Sequence, residues 1–507
     1  MERLHDLIDG ALLLPAVWWG VLAIVPALIV VLTCLYRLSP VHPLSGIPGP
    51  LVGRVTDLAL VYHSYVGDEA SYVHSLHERY GPCVRLGPNS VDFTNTAALQ
   101  SIYLHKSGFA KPDYYNNFDV DGHATIFSNT SHAARTARAK LVLPMFSTAS
   151  IRLNTAPFTD GIRRYVTLFQ ERKRGGKANA LDLARSLSID QVTEYLFGIR
   201  YGALSDSVEA EKAAQSKIKD GSTMSASAIV DNFIATGRLW YLPVGLYNWV
   251  DWLDAIVFPN PSLGMSHKIV DDYVNRVVDA AAVEAEQSGR PSALTTYPCR
   301  LLLAGFPAPE VRAQCKDVIY AATDTTGMNL ATLCFLLAKH PDVYEKVHTE
   351  VLGATITKHE DIQQLPVLNG VVREALRLSM ANPCRIPREV PVGGWHFEGR
   401  YYPAGTIVSG SAREIHFSDN VYESPTEFKP ERWEKSSDEM NRFMMAFGLG
   451  ARQCIARTLA MYQLYCAAFE LLKSDVLRGA RPKSDRIEIK EAFNSKVIGG
   501  SIDLIWE

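Results

Sequence analysis

The chain has 507 residues, 47% of them hydrophobic, and a formal net charge of −3. This length and apolar content call for a large buried core, in one big domain or two, and the charge gives no reason to expect a nucleic-acid partner. The eight cysteines lie far apart with no C-x-x-C pair, which suits reduced thiols on a cytosolic face better than a disulfide framework.

From Ala11 to Tyr36 no residue is charged, and about 20 apolar residues suffice to span a bilayer. The run is too long for a cleaved signal peptide and no A-x-A site follows it. Pro15 and Pro26 argue against a buried core helix. We therefore expect a short lumenal N-terminus over 1–10 and a transmembrane anchor over 11–36, with Trp18 and Trp19 near an interface. Arg37 and Arg54 follow the run while Arg3 precedes it, which places the body on the cytosolic side. Four prolines within 39–50 predict a stiff, extended hinge over 37–52, leaving 53–507 as the body.

Helical patterns dominate that body, with strand-like material at 82–95 and 388–412, so the expected class is mainly α with a smaller β portion. Between residues 160 and 300, helices are separated by breakers such as "RKRGGK" (172–177) and "SGRPS" (288–292), the first reading as a solvated loop. The longest predicted helix starts at Pro309, a good first-turn residue, and runs to Lys339, roughly 45 Å at ~1.5 Å per residue. Its middle places Asp324, Thr325 and Thr326 inside an apolar stretch. Such residues are poor interior helix formers, and an unpartnered buried carboxylate is costly. Two readings stand: a kinked core helix whose polar groups bond their own backbone, or a functional groove.

Downstream, "NGVVREALRLS" (369–379) is helical and puts Glu374 and Arg377 on one face; taken alone, they read as a weak surface ion pair. Residues 384–412 read as strands broken at Gly393-Gly394 and Pro403–Gly405, and "FKPERW" (428–433) supplies Arg432. The stretch "FGLGARQCIA" (447–456) then delivers Cys454 to a predicted helix, where Ile455, Leu459, Tyr462, Cys466 and Phe469 recur at helical spacing. Free N–H groups at a helix start favour a thiolate over a thiol, and Arg452 adds a nearby cation. The loop reads as a holder for a sulfur anion.

Taken in order, "AATDTT", "EALR", "PERW" and "FGLGARQC" resemble the motifs of the cytochrome P450 family of haem-thiolate monooxygenases. The set spans about residues 320–456, and the anchor and hinge extend the likeness over nearly the whole chain. In style the sequence is similar to the microsomal enzymes of filamentous fungi that oxidise secondary metabolites. The resemblance implies a haem-thiolate fold in which Cys454 is the axial ligand of the iron and Phe447 packs near the sulfur. Arg452 and Arg388 match arginines that pair with haem propionates, and Glu374, Arg377 and Arg432 match a buried structural charge triad. Asp324 and Thr325 match the acid–alcohol pair that relays protons during dioxygen reduction. Electrons are then expected from NADPH through a separate reductase, with cytochrome b5 as an optional second donor, at the endoplasmic reticulum.

Three positions depart from the family pattern. Ala456 and Ala322 stand where glycine is usual, and Ala139 stands where a propionate arginine is usual, leaving Arg138 or Lys140 to substitute, with Arg138 the candidate carried forward. For substrate, the resemblance points to the loop 109–127 with Tyr114, Tyr115 and Phe118, to the aromatic segment 234–254, and to Asn382–Ile386 and Phe493-Asn494. An apolar, membrane-partitioning metabolite, such as a terpenoid or polyketide-derived compound, fits these surroundings. No G-x-S-x-G, H-E-x-x-H or phosphate-loop motif is present, and "GLG" at 448–450 lacks the third glycine of a dinucleotide fingerprint. The rival readings are a haem-thiolate isomerase or dehydratase that does not use dioxygen, and a non-catalytic haem sensor or carrier.

Overall fold

The computed structural model describes residues 24–105, 108–204, 225–227, 229–230, 237–257 and 261–506. In chain order, the elements that matter for the site are β1 (Cys83–Gly87), β2 (Ser90–Phe93), α1 (His132–Val142), α2 (Ala180–Phe197) and α3 (Val244–Val257). They continue with α4 (Ala308–Lys339), α5 (Pro366–Leu378), β3 (Arg388–Glu389), β4 (Ile407–Ser409), α6 (Arg457–Lys473), β5 (Ile489–Glu491) and β6 (Ser495–Val497). Helices dominate and the strands are short, as the patterning predicts.

The long predicted helix exists and begins one residue earlier than expected. Thr326 to Ala338 are all buried, so this half of α4 is apolar all round and runs through the core rather than over it. Two of its threonines bond backwards: Thr323 Oγ1 donates to Ile319 O at 2.6 Å and Thr325 Oγ1 to Ala321 O at 2.9 Å. That satisfies hydroxyls that would otherwise cost free energy in an apolar interior. Gly327 is where α2 crosses: a Cβ there would sit 2.6 Å from Arg185 Cγ and 2.9 Å from Arg185 Cα. Only a residue without a side chain allows that approach.

The β portion frames one end of the site. The four-stranded sheet has the order β1-β2-β4-β3, with β1 and β2 antiparallel and β2 and β4 parallel (Val91 opposite Val408). At its edge β3 pairs antiparallel with β4, setting Arg388 opposite Val408. The Glu389 N–H donates to Ala110 O at 2.8 Å, which ties the loop after residue 108 to this edge. Strands β5 and β6 form a separate hairpin.

The hinge differs from the expected free-standing connector. Residues 39–47 form successive turns, Leu44 and Ile47 are buried, and the Arg85 N–H donates to Pro48 O at 2.8 Å. Burying two aliphatic side chains stabilises the docked state by about 3–6 kcal/mol, enough to hold a proline-rich segment against the body. Residues 24–38 are helical, with Ile24, Leu28, Val31 and Leu35 exposed. Among the described residues no helix is long and apolar enough to cross a membrane. Residues 1–23, which carry the expected N-terminus and half of the expected anchor, lie outside the described residues.

Candidate functional site

The cysteine loop is two short 3-10 turns, Met445–Phe447 and Gly450–Arg452, closed by the Cys454 N–H donating to Phe447 O at 2.9 Å. Gly450 sits at φ 69°, and a Cβ there would lie 1.8 Å from Tyr103 O, so both its backbone conformation and its packing require glycine. Helix α6 begins at Arg457 with Ala456 as its cap, three residues after Cys454. Cys454 is exposed, while Phe447, Ile455 and Ala456 are half-buried. The surrounding protein pushes the Cys454 thiol up, and the Ala456 amide and Arg457 pull it back only in part. A cation bound at the sulfur would favour the thiolate.

Behind the loop stands the buried charge network. Both Glu374 and Arg377 are 0% exposed, so the surface-pair reading of the motif taken alone is corrected. The Glu374 carboxylate accepts from Arg377 Nε and Nη2 (3.0 and 2.7 Å), Arg432 Nε (2.9 Å), Trp433 Nε1 (2.9 Å) and the Lys429 amide (3.2 Å). Arg377 Nη1 also donates to the carbonyls of His416 and Pro425, each at 2.6 Å. His416 carries the network into the loop. Its Nε2 accepts from the Met445 N–H at 2.9 Å, which leaves Nδ1 as the protonated atom donating to Arg377 O at 3.0 Å. Burial and the Arg377 charge push His416 down to about 3, so the ring stays neutral and this tautomer persists.

Four cations converge beside the loop. Arg388 is buried at the sheet edge against the Tyr103 ring. Arg452 donates to Asn129 O (2.7 Å) and Thr130 O (3.0 Å), just ahead of α1. Lys111 is buried between the Tyr115 and Phe127 rings and donates to Phe127 O at 2.5 Å. Arg135, on α1, completes the set. Burial comes first in depressing Lys111, Arg135 and Arg452, with repulsion among the cations adding to it; Arg452 falls to about 10 and Lys111 well below its ordinary value. Among the described residues none of the four is ion-paired to a carboxylate. Arg138 is not among them. Its guanidinium binds Glu310 on α4 (Nη2 to Oε1, 2.6 Å) and lies over Phe306, while Lys140 is exposed. Arg135 lies close to one turn before Arg138 on much the same face of α1, about 4.5 Å further back along the axis, so it meets Arg452 where Arg138 meets Glu310.

On α4, one strip interrupts the burial. Ala321 is exposed, and Val318, Tyr320, Ala322 and Thr325 are half-exposed, whereas the helix is buried all round from Thr326 to Ala338. Ala322 packs against the same apolar cluster as Ile455 and Ala456 of the cysteine loop. Asp324 faces away from that strip. Its Oδ1 accepts from Arg185 Nη2 on α2 at 2.7 Å, with both side chains 3% exposed, and its Oδ2 accepts from Asn494 Nδ2 at 3.2 Å. The two halves of the expected acid–alcohol pair are thus adjacent in sequence and differently placed: the hydroxyl on the open strip, the carboxylate in a buried ion pair.

The expected substrate-side residues come together in part. Tyr114, Tyr115, Phe118 and Phe127 of the 109–127 loop cluster with Trp240, Tyr241 and Phe493. Residues 234–236 of the aromatic segment lie outside the described residues, and α3 exposes Trp249 and Trp252. Asn382 Nδ2 donates to Phe493 O (3.2 Å) and Asn494 Oδ1 (2.7 Å). The loop is fastened to α4 by Gln314, which bonds Ile126 N and Ala124 O at 3.0 Å each, and by buried Asp317. Burial pushes the Asp317 carboxyl up to about 6 despite a bond from Thr125, the charge of Lys111 and a bond from the Phe127 amide. Sequence reasoning missed Lys111, Arg135, Arg185 and Asp317. Of these, only Asp317 carried a signal, as a second acid in the apolar helix.

The donor set has the chemistry of a haem site. One open thiol suits a transition metal, four cations lacking carboxylate partners suit a group with two anionic arms, and the Ala321–Ala322 strip lets a flat ring approach α4. The residues fit. Comparison with known proteins agrees: the family described as Cytochrome P450 matches residues 43–474. The chain is 32% identical over 502 residues to the cytochrome P450 monooxygenase mfmF of Annulohypoxylon moriforme, covering 96% of this chain and 100% of that one. It is 26% identical to aneF of Aspergillus aculeatus (86% and 89% covered) and 27% identical to tazI of Aspergillus terreus (93% of each), both also named as cytochrome P450 monooxygenases.

Proposed function

Because this chain belongs to the cytochrome P450 family, and is thereby a haem monooxygenase, we propose the following roles for its residues. Cys454 holds the iron through its sulfur, Arg388, Arg452, Arg135 and Lys111 neutralise the two propionates, and Phe447 shields the sulfur. The haem supplies the redox chemistry that activates dioxygen. The protein contributes binding, orientation and protons. Thr325 presents its hydroxyl on the open strip of α4 to orient water and hand on a proton, and Asp324 is the acid that replenishes it. The aromatic cluster around Phe118, Phe127 and Phe493 excludes water and binds an apolar small molecule, into which one oxygen atom of dioxygen is inserted. Hydroxylation, epoxidation and multistep oxidation all fall within that reaction type. A fungal secondary metabolite such as a terpenoid or polyketide-derived compound suits a pocket of this composition.

We further propose that electrons reach the haem from NADPH through a separate reductase, with cytochrome b5 as an optional second donor. Residues 11–36 anchor the chain in the endoplasmic reticulum with the body on the cytosolic side. The uncharged run and the exposed apolar side chains of residues 24–35 support that placement.

The observation that carries the proposal is the exposed Cys454 in a loop flanked by Arg135, Arg388 and Arg452, none of them ion-paired to a carboxylate among the described residues, with buried Lys111 beside them. The test is Asp324→Asn with Thr325→Ala in the reductase-reconstituted enzyme. Haem content should be retained, since neither residue touches the cradle. Removing a positioned proton donor costs ~10²–10⁴ in rate, so peroxide per NADPH should rise as product falls. An unchanged ratio of product to NADPH would overturn the proton-relay roles, and a dioxygen-independent isomerase would consume no NADPH at all.

A further inference from the structure

Asp324 cannot serve Thr325 from where it sits. Its carboxylate is buried between the Arg185 guanidinium and the Asn494 amide, whereas the Thr325 hydroxyl lies on the half-exposed strip. Something must let the carboxylate turn. Arg185 is a poor release point, because α2 is pressed against α4 at Gly327 and the guanidinium is 2% exposed as a residue. Arg185 also keeps its Nε buried without an acceptor, so it has a spare donor with which to follow a turning carboxylate. Asn494 is different. It belongs to no helix and sits on the three-residue turn between β5 and β6.

That turn is attached on two sides. Toward the loop after α5, Cys384 Sγ donates to Ala492 O (3.0 Å), the Ser495 N–H donates to Ala381 O (3.0 Å), and Asn382 Nδ2 donates to Phe493 O and Asn494 Oδ1. The contact with Asn382 also fixes the amide orientation: Asn494 Oδ1 accepts, so its Nδ2 is the atom turned to Asp324. Toward the aromatic cluster, Phe493 packs against Phe118 (5.0 Å between ring centroids), Phe127 (5.3 Å) and Trp240 (5.3 Å). Consecutive residues therefore read the aromatic pocket and hold the acid. The Asn494–Asp324 bond is 3.2 Å long, near the limit of a good N–H···O contact, so a shift of the turn by about 1 Å breaks it.

We propose that Asn494 is a positioning residue that restrains Asp324, and that displacement of Phe493 by a bound apolar molecule releases the carboxylate to Thr325. Proton delivery is thereby tied to occupancy of the pocket. The inference rests on the proton-relay reading of Asp324 and goes beyond it by naming what holds the acid back.

The test uses the holoenzyme with its reductase and no added substrate, reading peroxide released and dioxygen consumed per NADPH. Asn494→Leu keeps the branched side-chain skeleton and removes the donor. The freed carboxylate should divert dioxygen from peroxide to water, lowering the peroxide share about ten- to a hundredfold, the scale of one lost hydrogen bond to a charged group. Phe493→Ala should move it the same way by loosening the turn. Asp324→Asn should move it the opposite way. General damage to the site raises peroxide, so a rise in the Asn494 and Phe493 variants overturns the inference, as does no change. Haem content and a spectral titration with 4-phenylimidazole report whether each variant is intact. Should Asn494→Leu not fold, Asn494→Asp decides. It sets two carboxylates beside the single Arg185 guanidinium, so the pair shares a proton and the peroxide share becomes pH-dependent near neutrality. That dependence must vanish when Asp324→Asn is added; its absence, or its persistence in the double variant, sinks the proposal. If Asp324→Asn alone changes nothing, the relay reading itself has failed. If it acts while the Asn494 and Phe493 variants do not, only this inference has.

Discussion

Arg135 and Arg138 lie in the same helix, and the assignment of the haem cradle turns on which of them faces Arg388 and Arg452. Arg135→Ala removes one of four cations that crowd together without carboxylate partners. A hydrogen bond to a charged partner contributes about 1.5–3 kcal/mol, so haem affinity should fall about 10- to 100-fold. Arg138→Ala instead breaks a half-buried ion pair with Glu310, whose partners are 16% and 13% exposed. After solvent screening that pair contributes about 1 kcal/mol to folding, and haem affinity should not change. Lys111→Met keeps a side chain between the Tyr115 and Phe127 rings while removing a buried charge. The apoprotein should become more stable while haem binding weakens, a divergence that simple loss of packing cannot produce. The assay is transfer of haem to excess apomyoglobin, followed by absorbance, beside urea denaturation of each apoprotein. Equal haem loss from Arg135→Ala and Arg138→Ala, or none from Arg135→Ala, would refute the cradle described above.

Two further outcomes follow from the structure. Burial raises Asp317 from 3.8 to about 6, so between these values the folded state holds a proton that the unfolded chain has lost. Its contribution is full below about pH 4 and disappears as pH rises through about 6. Asp317→Asn should remove a stability change of at most about 3 kcal/mol across that window, read as the difference in urea midpoints between variant and wild type; a difference that does not vary with pH would contradict it. Deleting residues 1–38 should move much of the protein from the membrane to the soluble fraction, because an apolar run of ~20 residues dominates attachment. Residual binding through exposed Trp249 and Trp252 is expected, and unchanged carbonate-resistant association would count against a single amino-terminal anchor.

Much of this site was legible because its chemistry is local in sequence. The cysteine loop announces itself through Gly448, Gly450 and Cys454 within seven residues, and Asp324 and Thr325 stand out against an apolar helix. The reading failed where the decisive neighbour is distant. Nothing near Arg185 in the chain says that it meets Asp324, 139 positions away, and nothing near Lys111 says that the Ala110–Glu389 bridge sets it beside Arg388. Arg138 is the sequence's candidate because it adjoins Ala139 along the chain, whereas the choice between Arg135 and Arg138 depends on what each meets along α1. Glu374 and Arg377 illustrate the same limit. Their spacing fits a surface pair as well as a buried one, and only Arg432, Trp433 and the enclosing backbone decide between them.

The central claim is that Cys454 carries the metal, and the reduced carbon monoxide difference spectrum of Cys454→Ser addresses it most directly. A neutral alcohol does not donate to iron as a thiolate does, so the thiolate-type band should be abolished in this variant. Cys466→Ser and Cys334→Ser, whose thiols are pushed up to about 12 by burial, should keep the band. Persistence of the thiolate band in Cys454→Ser, or its loss in either control that still folds, would contradict the account.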